Sequence, residues 1–275
     1  MNNKIIRLIA LALVVISVFS LCACSSGSAE EETTTAVPYA EDVVIPDSKA
    51  EVVEKFNKLM ADTKAATDFE EMKYWLDHDA GGVDCENNTV KSAFKLMSDN
   101  VANEDHELFS MTTKNEEKKI TAKDCFPVMG SDKAGALDLA DVRSAVITDN
   151  RMDEHYTLII KINPETNPEQ EDSIYGKLYK ISKDEDILAE FAKYKDFFTV
   201  GEYNATYGEG TIKMFVNKKT DRVTKLELSR NVVVETTISG QGTLKEEIGA
   251  DVPVKFDYNS TANYEIIWPV EEAAE

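Results

Sequence analysis

From about residue 197 to residue 268 the sequence changes character at nearly every step, apolar then polar, and little but short turns interrupts it. Alternation with a period of two is the mark of a strand with one face buried and one face wet. Here the alternating runs are 197–207, 211–217, 222–239, 243–248, 252–258 and 262–268. Gly208-Glu209-Gly210 separates the first two, and Asn217-Lys-Lys-Thr-Asp221 precedes the third. Connections this short allow only antiparallel neighbours, because a parallel pair needs a crossover of a dozen residues or more. The chain must therefore close with an antiparallel meander. The run 222–239 is long enough to need a bulge or break near Asn231, and Gly240-Gln-Gly242 reads as a strand break. A hairpin over 142–148 and 154–162, turning at Asp149-Asn-Arg151, extends the sheet upstream. Tyr156, Leu158, Ile160 and Ile162 share one face of its second strand.

Ahead of the strands the period is helical. Pro46-Asp47-Ser48 opens a helix to about Ala66, with Ser48 and Glu51 placed as a capping box. Val52, Val53, Phe56, Leu59, Met60 and Thr63 fall on one face. Asp68 with Glu71 predicts a short second helix carrying Phe69, Met72, Trp75 and Leu76, stopped by Gly81-Gly82. A third runs over 89–101 with Val90, Ala93, Phe94, Met97 and Val101 in line. Ser182 with Glu185 caps a fourth, bearing Ile187, Leu188, Phe191 and Tyr194. Helices first and strands last give an α+β fold, N-terminal helices packed on a C-terminal antiparallel, curved meander.

The meander over residues 203–268, with its lysine-rich turn before Val223-Thr-Lys-Leu-Glu-Leu228, resembles the curved sheets of bacterial carrier lipoproteins of the LolA and LppX type. That resemblance implies an open half-barrel around helices and a hydrophobic ligand. Residues 137–162 together with Asn167-Pro168 resemble uncharacterised exported lipoproteins of Gram-positive bacteria, which implies no activity.

The opposite end of the chain gives an address. Lys4 and Arg7 precede an almost unbroken apolar run, Leu8 onward, that ends in Leu21-Cys22-Ala23-Cys24. A run of about 14 residues is short for a membrane span and suits a secretory signal peptide. Leu-x-Ala-Cys resembles the bacterial lipobox, which implies diacylglycerol on the Cys24 thiol and cleavage before it. Cys22 is the poorer acceptor, with bulky Leu21 directly before it. The alternatives are a plain secreted protein cut after Ala23 and an uncleaved anchor. The resulting organisation is a signal peptide over 1–23, a disordered acidic tether over 24–45, one exported α+β domain over 46–270 and an acidic tail over 271–275. The expected place is the outer side of the cytoplasmic membrane, held there by lipid.

The chain carries 30 basic and 51 acidic residues, and loss of Lys4 and Arg7 with the leader leaves 28 basic residues and a net charge of −23. Such a surface repels nucleic acid and anionic lipid, so the only partner implied is the membrane, through the anchor. No cofactor is implied. The three histidines, His78, His106 and His155, form no H-E-x-x-H pattern, and no C-x-x-C, G-x-S-x-G or P-loop is present. The one metal candidate is a calcium loop built from Asp77, Asp79, Asp84 and Glu86 around Gly81-Gly82. It departs from the EF-hand template at its fifth and twelfth positions, where Gly81 and Asn88 stand. A solvated loop is the alternative. Cys85 and Cys125 are candidates for a disulfide or for two free thiols.

Three functions stay open: a tethered non-catalytic binding or structural protein, which leads; a carrier of lipid or another hydrophobic ligand; and a hydrolase with a carboxylate site that no motif marks. An apolar cavity between the sheet and the first helix would favour the carrier. A cleft with convergent carboxylates would favour the hydrolase.

Overall fold

The structure, a computed structural model, describes residues 48–103, 110–117, 119–128, 131, 135–149, 152–170, 172–179, 181, 192 and 195–269. The leader, the tether, the acidic tail and, but for residue 192, the helix expected over 182–194 lie outside the described residues.

Helix α1 (Lys49–Ala65) begins at the predicted cap. The Ser48 hydroxyl accepts from the Glu51 amide while the Glu51 carboxylate accepts from the Ser48 amide, so two free donors of the first turn are satisfied. Its buried residues are Val52, Val53, Phe56, Leu59, Met60, Thr63 and Lys64, the face that the periodicity marks. Polar contacts fix its seat. Lys49 donates to the carbonyl of Val142 at 2.7 Å, and Asn57 exchanges hydrogen bonds with the backbone of Leu137. Lys55 lies 3.3 Å from Asp221 and over the ring of Tyr156.

Strand β1 (Glu71–Asp84) stands where a helix was expected. Phe69, Met72 and Leu76 fit a helical spacing, but Met72, Tyr74, Leu76 and His78 fit a strand equally well. Pairing decides between them. Every residue from Glu71 to Ala80 has a partner on β10 (Val252–Ile267), a gain no isolated helical turn offers. Gly81-Gly82 does not end the element. It forms a β-bulge in which β1 advances three residues, Ala80 to Val83, while β10 advances two, Tyr258 to Phe256. A side chain at Gly81 would meet Asp257, whose carboxylate accepts from the Gly82 amide at 2.8 Å. The extra residue exchanges the faces of the strand, so the even-numbered Met72 to His78 and the odd-numbered Val83 and Cys85 all point inward.

Helix α2 (Asn88–Asn103) is capped by Asn87, whose side-chain oxygen accepts from the amides of Thr89 and Val90. It buries Val90, Ala93 and Phe94; the side chains of Met97 and Val101 lie outside the description. Strand β2 (Ser110–Lys114) edges the sheet beside β1. The hairpin β3 (Val142–Asp149) and β4 (His155–Ile162) follows as expected, with Tyr156, Leu158, Ile160 and Ile162 fully buried. After it come the short β5 (Glu165–Thr166), α3 (Ile174–Leu178), β6 (Phe198–Val200) and β7 (Asn204–Tyr207). Residues 197–207 are thus two short strands rather than one.

Strands β8 (Gly210–Asn217), β9 (Val223–Gly240) and β10 finish the sheet. β9 has no break near Asn231. Its register with β10 is continuous from Lys225 to Ile238, and what changes near Asn231 is the partner on its other edge, β8 before it and β7 after. Residues 243–248 are a 3-10 turn, Gly242–Leu244, and a short helix α4 (Lys245–Ile248), not a strand. The two runs expected at 252–258 and 262–268 are the single strand β10. The sheet order is β2-β1-β10-β9-β8-β4-β3, open and antiparallel, and the fold is α+β. Two of its strands, β1 and β2, come from the helical half of the sequence. All the apolar inner positions lie on one face, in a larger cluster under α1 and α3 and a smaller one under α2 and α4.

Candidate functional site

Register places one polar row across the larger apolar cluster. On β9 the inner positions read Leu226, Leu228, Arg230, Val232; on β10 they read Tyr264, Ala262, Ser260, Tyr258; on β1 they read Tyr74, Leu76, His78. His78 pairs with Ser260, and Ser260 with Arg230. Three adjacent strands therefore put a polar inner residue each, His78, Ser260 and Arg230, in line.

Arg230 is the centre of the row. Its Nε donates to the Ser260 hydroxyl at 3.0 Å. Its guanidinium carbon lies 4.3 Å from the ring centre of Tyr179 and 5.3 Å from that of Tyr207, close enough for cation–π attraction. Its Nη1 is buried and donates to nothing. No carboxylate among the described residues pairs with it, although the chain holds 51 acidic residues. A buried charge without an acid partner costs several kcal/mol, which two ring faces and a hydroxyl offset only in part.

Of the tyrosines beneath Arg230, Tyr207 ends β7 and Tyr179 follows α3, which the segment after β5 holds in place. The Glu165 carboxylate accepts from the amides of Ile174 and Tyr175, and Ser173 caps α3. Gln170 donates to the carbonyls of Gly176 and Tyr179 and accepts from the Ile181 amide. Gly176 has no room for a side chain, since a Cβ there would lie 2.2 Å from the Glu169 carbonyl oxygen. Tyr175 stacks on Tyr179, tilts against Tyr207 and donates to the carbonyl of Gly208. Gly210, at the start of β8, leaves space for the Tyr175 hydroxyl, which a Cβ would approach to 2.8 Å.

Burial pushes the hydroxyls of Tyr74, Tyr175 and Tyr179 up, with the charge of Arg230 pulling back less strongly. They stay neutral at physiological pH. Burial also lowers His78 to about 4, helped by Arg230 and opposed by Asp77. The row thus offers one cation, one neutral imidazole and several hydroxyls. Its upper rim is partly open, because Tyr74, His78, Arg230 and Tyr258 each keep some contact with solvent.

The residues marked in the sequence lie elsewhere. Asp77 and Asp79 are on the outer face of β1, and the bulge turns Asp84 outward as well, opposite Lys255. Asp77 accepts from Asn263 at 2.8 Å, while Asp79, Asp84 and Glu86 are exposed. Among the described residues no three acids, histidines or cysteines converge as a metal site. Cys85 and Cys125 are both buried, free thiols. Cys85 sits in the smaller cluster and Cys125 in the larger, its Sγ 3.4 Å from the sulfur of Met72, so the bridge left open by the sequence is not formed. Burial, then Asp124, pushes the Cys125 thiol up to about 11. Cys24 lies outside the described residues.

The space between α1 and the sheet is filled. Phe56, Met60, Leu158, Met214 and Leu226 meet there at 1 % exposure or less. A shallow groove of about 530 Å³ lies on the other flank of α1, lined by Asn57, Met60, Ala61, Lys64, Thr121 and Lys123 among others. No protein family, curated protein or solved structure matches the chain.

Proposed function

We propose that this chain is a lipid-anchored, non-catalytic binding protein on the outer side of the cytoplasmic membrane. The observation that carries the binding role is the unpartnered Nη1 of Arg230 in the inner row. An unpaired buried donor is a standing cost that a ligand acceptor would remove. What supports a non-catalytic reading is the company Arg230 keeps: the marked carboxylates of β1 face outward, and Ser260 accepts from Arg230. The carrier reading needs an apolar cavity under α1, and the filled cluster there weighs against it.

The anchor rests on the Leu21-Cys22-Ala23-Cys24 leader and the acidic tether behind it. Nucleic acid is a poor partner for a net charge of −21. Replacing Cys24 by Ala tests the anchor. Labelled fatty acid should no longer be incorporated and the precursor should stay uncut. Normal labelling of Cys24→Ala would remove the assignment.

A further inference from the structure

We propose that the end-on edge of the Arg230 guanidinium is a binding site for the carboxylate of a small organic acid. This rests on the binding role above and names its ligand class. Nε of Arg230 is taken by Ser260, and Nη1 is buried without a partner. The rings of Tyr179 and Tyr207 attract the cation but leave its in-plane N–H donors unfilled. What remains is the edge formed by the two terminal nitrogens, whose parallel N–H bonds match the two oxygens of a carboxylate.

Three further observations point the same way. The chain supplies acid residues in excess, yet those on β1 are turned to the outer face, and the inner row receives Ser260 and a neutral His78 instead. The missing partner is therefore not a side chain among the described residues. The rim of Tyr74, His78 and Tyr258 is partly exposed while Nη1 beneath it is buried, so a small molecule reaches the edge when these rim side chains turn aside. The partly exposed rings of Tyr74 and Tyr258 at the rim offer its body an aromatic surface. A monoanion is favoured over a phosphate dianion, because the acidic protein repels the second charge as strongly as the first, and one guanidinium edge neutralises only one.

The test is nuclear magnetic resonance of the lipid-anchored full chain in detergent, with the arginine side chains labelled with nitrogen-15. Benzoate is titrated to millimolar concentrations, the range expected of one charged pair without an optimised body. Benzamide and inorganic phosphate are run beside it. Benzoate should shift the Arg230 signals saturably, benzamide should leave them unmoved, and phosphate should act at least tenfold more weakly. Arg230→Lys keeps the charge but loses the fork and should bind benzoate at least tenfold more weakly. Arg230→Met should abolish binding and still melt cooperatively, since it removes a buried unpaired charge. Three results would overturn the proposal: no shift with benzoate, equal shifts with benzamide, or full binding by a folded Arg230→Met protein. If benzoate fails while native mass spectrometry finds some other retained molecule, the ligand class is wrong and the binding role stands. If neither is found, both fall.

Discussion

At the scale of single residues, His78 shows what the inner row demands of its members. Burial, and after it the facing charge of Arg230 on β9, lower it to about 4 against Asp77 beside it on β1. The Tyr258 ring packs edge-on to it at 5.9 Å. An unfolded histidine titrates near 6.5, so between these two values the unfolded chain binds the extra proton. Stability should then fall as pH drops below about 6.5 and the loss should be complete near 4, amounting to roughly 3 kcal/mol. Carboxylates add their own acid limb lower down, so the useful quantity is a difference. Urea melts of the parent and of His78→Gln should diverge between pH 6.5 and pH 5, the parent losing more, because burial also lowers His155 and that loss is common to both proteins. Parallel curves would mean that His78 is not held neutral. The thiols make the opposite point. Cys85 and Cys125 are small apolar fillers of two clusters, and nothing in their spacing of forty residues could show that.

At the scale of elements, the bulge in β1 is the feature on which the most side chains depend. Without its extra residue, Val83 and Cys85 would turn outward and Asp84 and Glu86 inward. Deletion of Gly82 should therefore strip the smaller cluster of its β1 contribution and bury two acids. The expected result is loss of amide protection throughout α2, with the hairpin β3–β4 and its cluster retained. Unchanged protection in α2 would show that the bulge carries no such load. The bulge also explains where the sequence was legible. Helix α1, its capping box and its buried face could be read directly, because every signal there is local. The hairpin and β8 could be read for the same reason. β1 could not, since Phe69, Met72 and Leu76 fit two periods and only pairing with β10 chooses. Residues 243–248 alternate like a strand but turn as a 3-10 turn and α4, held under α2 by Leu244 and Ile248. The polar row was the hardest part. Arg230, Ser260 and His78 each break an apolar alternation, and Arg230-Asn231 was legible only as a place for a strand break. The three breaks mean something together only once the register aligns them.

At the scale of the whole molecule, the proposed function draws on two parts of the chain, the leader and the inner face of the sheet. The leader supports the proposed place, and the inner face of the sheet supports the proposed task. On the proposed reading, an acidic, lipid-held domain keeps Arg230, whose Nη1 is unpartnered among the described residues, for a ligand rather than for its own carboxylates. That division is the central claim, and native mass spectrometry of the protein extracted from its own membrane tests both halves at once. The account predicts a chain that begins at Cys24, carries diacylglycerol there, and releases on activation a small organic acid that an Arg230→Met protein does not retain. A chain without lipid, or a retained molecule equally present in Arg230→Met, would contradict it.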